Sequence, residues 1–247
     1  MSPSEYAQAL GERLLVLPEP TMRRQVLREA LAQLGDEEAV ALLRELCRLG
    51  RSTPGAEVAL LALTAVLDNE DLGYERQAAL YDMARRTGDD VVARMLLCGG
   101  RQPGTSRPLE VPPEEPSRPL GWRKSHARSP RREVIERLLH DPDPTVLEIL
   151  LQNPRVVERD AVQLAARRPT SPEAQRVVFA SRFSSRYAVR LALVMNPYTP
   201  VELSTRILSG LLHADIAAVT QRLDLAESLR ETAALLLRER QAMPSDL

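Results

Sequence analysis

The side chains in this sequence best equipped for chemistry are guanidinium groups, and they come in two clusters. The stretch WRKSHARSPRR, residues 122–132, holds Arg123, Lys124, Arg128, Arg131 and Arg132 with no acid among them. Further along, Arg182, Arg186 and Arg190 recur at four-residue spacing, with Tyr187 beside them. On a continuous helix that spacing stacks the side chains into one ridge. Guanidinium forks match the geometry of carboxylate and phosphate, so a ridge of them would hold an anionic surface. From Trp122 through Arg190 there are 14 basic residues against 8 acids. The candidate partner-binding set is therefore Trp122, Arg123, Lys124, Arg128, Arg131, Arg132, Arg182, Arg186, Tyr187 and Arg190. Two readings of the arginines stay open: a contact surface, or a solvated basic face. Trp122, the only tryptophan, would anchor a protein partner or stack on a base. Its alternative is to pack against the first helix of the second half.

Other reactive groups read as structural. Cys47 and Cys98 follow apolar helical residues at equivalent places in an internal repeat, and no metal-ligand partner stands at ligand spacing. Small core residues is the simpler account. His126, His140 and His213 are the only histidines, and no zinc-hydrolase, nucleophile-elbow or phosphate-loop motif surrounds them. His140 falls at a helix C-terminus, where a cation is favoured. Asp141 and Asp143 each precede a proline, which suits capping better than acid–base work. The sequence thus offers no catalytic residue, no metal ligand and no cofactor site, and the expectation is a protein that is not an enzyme.

The elements that must carry the arginines are helices. Hydrophobic residues make up 44% of the chain but aromatics only 3%, so the core has to be Leu, Ala and Val in thin helical layers. No apolar run is long enough for a membrane span. The start lacks a basic segment followed by an apolar one, which argues against a signal peptide. Two cysteines make no disulfide framework. A cytoplasmic protein without membrane insertion is expected. Lys124 is the only lysine beside abundant Arg and Ala, a composition that suits a GC-rich bacterial genome.

Apolar spacing and caps predict helices near 4–17, 21–34, 37–49, 54–67, 74–86 and 89–98. RQVLREALAQLGDEEAVALLRELC, residues 24–47, is similar to RQAALYDMARRTGDDVVARMLLC, residues 76–98, which points to duplicated helical hairpins. Residues 99–121 include Pro103, Pro108, Pro112, Pro113, Pro116 and Pro119 and read as an extended linker. Beyond it the chain repeatedly stops and restarts. In VRLALVMNPYTPVELSTRIL, residues 189–208, an apolar helix ends at Asn196-Pro197 and another opens at Thr199-Pro200. Weaker copies occur at Asp141-Pro142, Asn153-Pro154 and Arg168-Pro169. The layout expected is a helical-repeat domain over 1–98, the linker over 99–121, and a second helical-repeat domain with a basic leading segment over 122–242.

VRLALVMNPYTPVELSTRIL, and less closely VLEILLQNPRVVERDAVQLAA at residues 146–166, resemble the leucine-rich-repeat variant motif. The resemblance covers about residues 134–212, and the first half looks broadly like HEAT-type repeats. The resemblance implies an all-α fold, an α-solenoid of short helices stacked in a right-handed superhelix. Some relatives of the variant-repeat type carry a separate cysteine cluster for an iron–sulfur centre. This chain has no such cluster, so that cofactor does not transfer. The family's usual implication is a binding surface. The function expected is a scaffold or adaptor that binds another protein through an arginine-rich face. The alternative is a nucleic-acid-binding protein similar to HEAT-like DNA-repair glycosylases.

Overall fold

A computed structural model describes residues 2–97 and 118–241. Among these residues there are 15 α-helices, one 3₁₀ turn and no strand. The chain is all-α, as its composition predicts. No described helix is long and apolar enough to cross a membrane. Cys98 and most of the expected proline-rich linker fall outside the described residues. The helix starts follow from short polar residues set before proline. Ser2, Thr53, Asp143 and Ser171 each accept a backbone N–H from the first turn of the helix they precede.

The chain divides into two compact units, one made of Met1–Gly100 with Val201–Leu247 and the other of Arg101–Pro200. This differs from the layout expected for the second half, because the helices after Pro200 pack on the first hundred residues. The physical reason is that these late helices carry donors and apolar faces that complete the early ones.

The first unit contains α1 (Pro3–Leu15), α2 (Pro20–Gln33), α3 (Asp36–Leu49), α4 (Pro54–Asp68), α5 (Tyr74–Thr87) and α6 (Asp90–Leu96). All six sit where apolar spacing predicts them. From the end of the chain come α13 (Val201–Leu208), α14 (His213–Gln221) and α15 (Glu227–Gln241). α13 packs on α4, and α15 packs on α3, α6, α13 and α14. Leu14, Leu31, Leu43, Leu46, Leu80, Leu208 and Leu236 are fully buried. Each such side chain contributes about 1.5–3 kcal/mol. α1 and α4 cross so closely that a Cβ on Gly11 would sit 2.8 Å from the Gly55 carbonyl carbon. Arginines join the early and late segments. Arg206 donates to Met95 O (3.3 Å) and Leu97 O (3.4 Å). Arg240 donates to Cys47 O (2.8 Å) and Ser209 O (2.6 Å). Its guanidinium fills the space that a Cβ on Gly50 would need. Arg76, in the first turn of α5, donates to Leu31 O and Leu34 O at the end of α2, at 2.8 and 2.6 Å.

The second unit contains α7 (Leu120–His126), α8 (Arg132–Leu138), α9 (Pro144–Gln152), α10 (Glu158–Ala166), α11 (Pro172–Ala180), the 3₁₀ turn Arg182–Ser185 and α12 (Tyr187–Val194). Helices two apart in order lie against each other: α7 on α9, α9 on α11, and α10 on α12. The helices thus alternate between two rows. Buried asparagines lock the rows. Asn153 donates through Nδ2 to Ala127 O (2.9 Å) and Ser129 O (2.8 Å), and its Oδ1 accepts from Arg155 N. Asn196 repeats this with Ala165 O (2.7 Å), Arg167 O (2.9 Å) and Tyr198 N. The Asn-Pro pairs therefore end one helix and hold the end of the helix two before it. Ser129-Pro130 has the pattern of an N-cap followed by a first-turn proline, which predicts a helix start there, but the structure differs. Ser129 O is taken by Asn153, and its hydroxyl accepts Arg131 N in a tight turn, so α8 begins at Arg132.

Two outcomes follow from this packing. Asn196→Ala strips two buried carbonyls of their donor and should lower unfolding free energy by about 1–3 kcal/mol. A urea melt measures it, and an unchanged midpoint would remove the asparagine lock from the account. Cys47 is fully buried, and burial pushes its thiol up to about 11 against the opposing Ser209 hydroxyl. In a Cys98→Ser background it should resist alkylation in the native state at about pH 8 and react fully once unfolded. Rapid native labelling would contradict that burial.

Candidate functional site

Three loops lead from the first row of the second unit into the second row: residues 127–131, 153–157 and 181–186. Side chains tie them together in sequence. Asn153 bonds the first loop, as described above. Arg182 reaches from the third loop to the second, donating to Asn153 O (2.9 Å) and Val156 O (3.0 Å). The three loops therefore form one edge. Arg128 and Arg131 stand on the first loop, Arg155 on the second, and Arg182 and Arg186 on the third. The first turns that follow add Arg132 and Arg159.

Two carboxylates are set into this edge. Arg132 forks onto the buried Asp160, with Nη1 to Oδ2 at 2.8 Å and Nη2 to Oδ1 at 2.6 Å, and its Nε reaches Glu136 at 2.9 Å. Asp160 also accepts Val157 N at 3.0 Å and so closes the first turn of α10. Donation from Arg132 holds the Asp160 carboxyl below its usual range, against the opposing effect of burial. The same bonds push the Arg132 guanidinium up. Arg186 lies 3.6 Å from Glu158. Arg131, Arg155 and Arg159 are exposed, and among the described residues no hydrogen bond or ion pair engages their side chains.

The ten expected partner-binding residues are only partly brought together. The expected ridge of Arg182, Arg186 and Arg190 does not form. Buried Phe183 draws the chain into a 3₁₀ turn, Arg186 is extended, and α12 starts only at Tyr187. Arg190 is 1% exposed and donates to Ser185 O at 3.1 Å. Half-buried Tyr187 lies under it, 5.8 Å from guanidinium carbon to ring centroid. Arg123 is also withdrawn, because its guanidinium pairs with the buried Asp141. Trp122 stacks on His126 with ring centroids 3.6 Å apart, and Arg118 lies over the tryptophan at 5.4 Å. Its ring is thus engaged within the chain. Lys124 is half-buried, and Arg128 is exposed beside the Lys124 carbonyl. Arg128, Arg131, Arg132, Arg182 and Arg186 remain on the surface, Arg182 while holding two loop carbonyls.

Arg155 and Arg159 were not singled out by sequence reasoning. A signal was present, since Arg155 follows Asn153-Pro154 as Arg131 follows Ser129-Pro130. Among the described residues, no group of three or more His, Cys, Asp or Glu could hold a metal ion. The opposite edge is knitted by guanidinium bonds to backbone carbonyls, with Arg167 donating to Asp141 O at 2.8 Å and Arg168 to Met195 O at 2.5 Å. Charge differs between the units. Arg101–Pro200 carries 17 bases and 11 acids, and the remainder carries 16 bases and 23 acids.

The lowered Asp160 value fixes a sign. A carboxyl depressed in the folded state adds stability that is full above its unfolded value of about 4 and is lost as pH falls through the folded value. Asp160→Asn should therefore flatten the acid limb of stability against pH while lowering stability at neutral pH. Urea midpoints across the acid range test this, and an acid limb unchanged by the substitution would contradict it. Comparison of the chain with family models, with curated proteins and with solved structures returns no match.

Proposed function

We propose that this chain is a non-enzymatic helical-repeat protein that binds another protein through the arginine edge of its second unit. The observation that carries the reading is the recurrence of exposed arginine on loops that Asn153 and Arg182 tie to one another. In this reading the two rows of short helices are a segment of α-solenoid, stacked so that neighbours bury Leu, Ala and Val while one edge is left for a partner. Loops fixed by internal bonds lose little freedom on binding, which favours affinity from few contacts. The partner-facing set is revised accordingly: Arg155 and Arg159 join Arg131, Arg132 and Arg186, and the buried Arg190 and half-buried Arg123 leave it.

A nucleic-acid backbone could use the same guanidinium groups. What counts against it is the scarcity of open aromatic platforms, since Trp122 and Tyr187 are engaged within the chain.

The test is affinity capture from cell lysate with and without nuclease, using the native chain and Arg131→Glu/Arg155→Glu/Arg159→Glu. A stoichiometric protein should survive nuclease on the native chain and be lost from the variant. Both chains should fold, because these exposed side chains make no hydrogen bond or ion pair among the described residues, with only a small loss of stability from removing the Arg159 charge beside Asp160. Bound material that vanishes with nuclease, or a partner retained by the variant, would overturn the reading.

A further inference from the structure

Between Arg155 and Arg159 the edge carries an apolar side chain that the fold does not bury, on the residue that caps α10. Val157 is 51% exposed, although the neighbouring Val156 is 2% exposed and fills the core. The backbone of Val157 is used at both ends, its N–H in the bond to Asp160 and its carbonyl in accepting Asp160 N and Ala161 N. Its side chain therefore stands on the surface at the start of α10. Exposed Arg155 and Arg159 flank it in the chain, and Arg186 reaches the adjacent Glu158. A surface that served only to meet phosphates would gain nothing from an exposed valine there. A protein segment offers both complements, carboxylates for the arginines and an apolar side chain for the valine.

Building on the proposed function, we infer that the edge takes an extended acidic peptide segment, with an apolar side chain resting on Val157 and carboxylates reaching Arg131, Arg155 and Arg159. Glu158 and Asp160 sharpen this choice. They occupy one arginine each, so the free donors lie to either side of the valine and not over it. The arrangement asks for acids separated by an apolar residue, and a uniform acidic run would meet Glu158 in the middle. Guanidinium forks bind carboxylates in pairs of parallel bonds, which adds direction to the charge attraction. Exposed charges attract over about one Debye length, roughly 8 Å at physiological salt, so the binding weakens as salt is raised.

The experiment is selection of random displayed peptides of about a dozen residues on the full chain. Recovered peptides are then measured by fluorescence anisotropy against the native chain, Arg155→Glu/Arg159→Glu and Val157→Asp. A single-stranded oligonucleotide of similar length is measured in parallel. The expected result is enrichment of Asp and Glu around a large apolar residue. Affinity should fall by about tenfold or more in each variant and decline with salt. Circular dichroism melts confirm that both variants fold, as exposed positions allow. Failure to enrich any peptide, enrichment without acids, or affinity unchanged in the variants would overturn the inference. If that happens while lysate capture still yields a nuclease-resistant protein lost from the arginine variant, the binding role stands and only the acidic-peptide assignment fails. An oligonucleotide bound more tightly than any peptide, and lost from the arginine variant, would overturn both.

Discussion

Short helices leave a large share of their carbonyls without partners, and the structure depends on side chains that supply them. A helix leaves about four C-terminal carbonyls unsatisfied. The second-unit helices are only 7–9 residues long, so roughly half of their carbonyls are exposed to this problem. Leu, Ala and Val cannot solve it. Guanidinium and carboxamide groups can, because each offers several donors on a stem long enough to reach the next helix end. Asn153 and Asn196 do this from within the core, and Arg167, Arg168 and Arg182 from the edges. Arg76, Arg206 and Arg240 do the same in the first unit.

This constraint explains why the arginine content of the sequence misleads when read as surface. Many of the guanidinium groups are structural donors. Those left over are found where a loop already has its carbonyls satisfied by another residue. Asn153 serves the carbonyls of Ala127 and Ser129, which leaves Arg131 free. Arg182 serves the carbonyls of Asn153 and Val156, which leaves Arg155 free. The exposed set is thus the remainder of a bonding requirement, on loops tied to one another by Asn153 and Arg182.

Helix positions were legible because their signals are local. Apolar spacing, caps and glycine stops act within a turn or two, and all six helices described before residue 98 fall where those signals put them. The outward or inward fate of Arg190 was not legible. It depends on Phe183 breaking the helix, which a four-residue spacing cannot reveal. Nor could the sequence say that residues after Pro200 belong with the first unit. Arg206 and Arg240 look like any surface arginine until the carbonyls of Met95 and Cys47 are placed beside them. Nor does any spacing reveal that Trp122 stacks on His126, one helical turn away.

The division of the chain has a consequence for the order of folding. In the second unit the tying bonds span short separations, such as Ala127 to Asn153 and Ala165 to Asn196. Contacts of that kind close small loops and form early. The first unit is different, because Arg240 must find Cys47 across 193 positions. During synthesis the middle of the chain can therefore settle while α1–α6 still wait for α13–α15. Until then the α4 and α3 faces that those helices cover stand open, and a nascent chain is most prone to stray association in that interval.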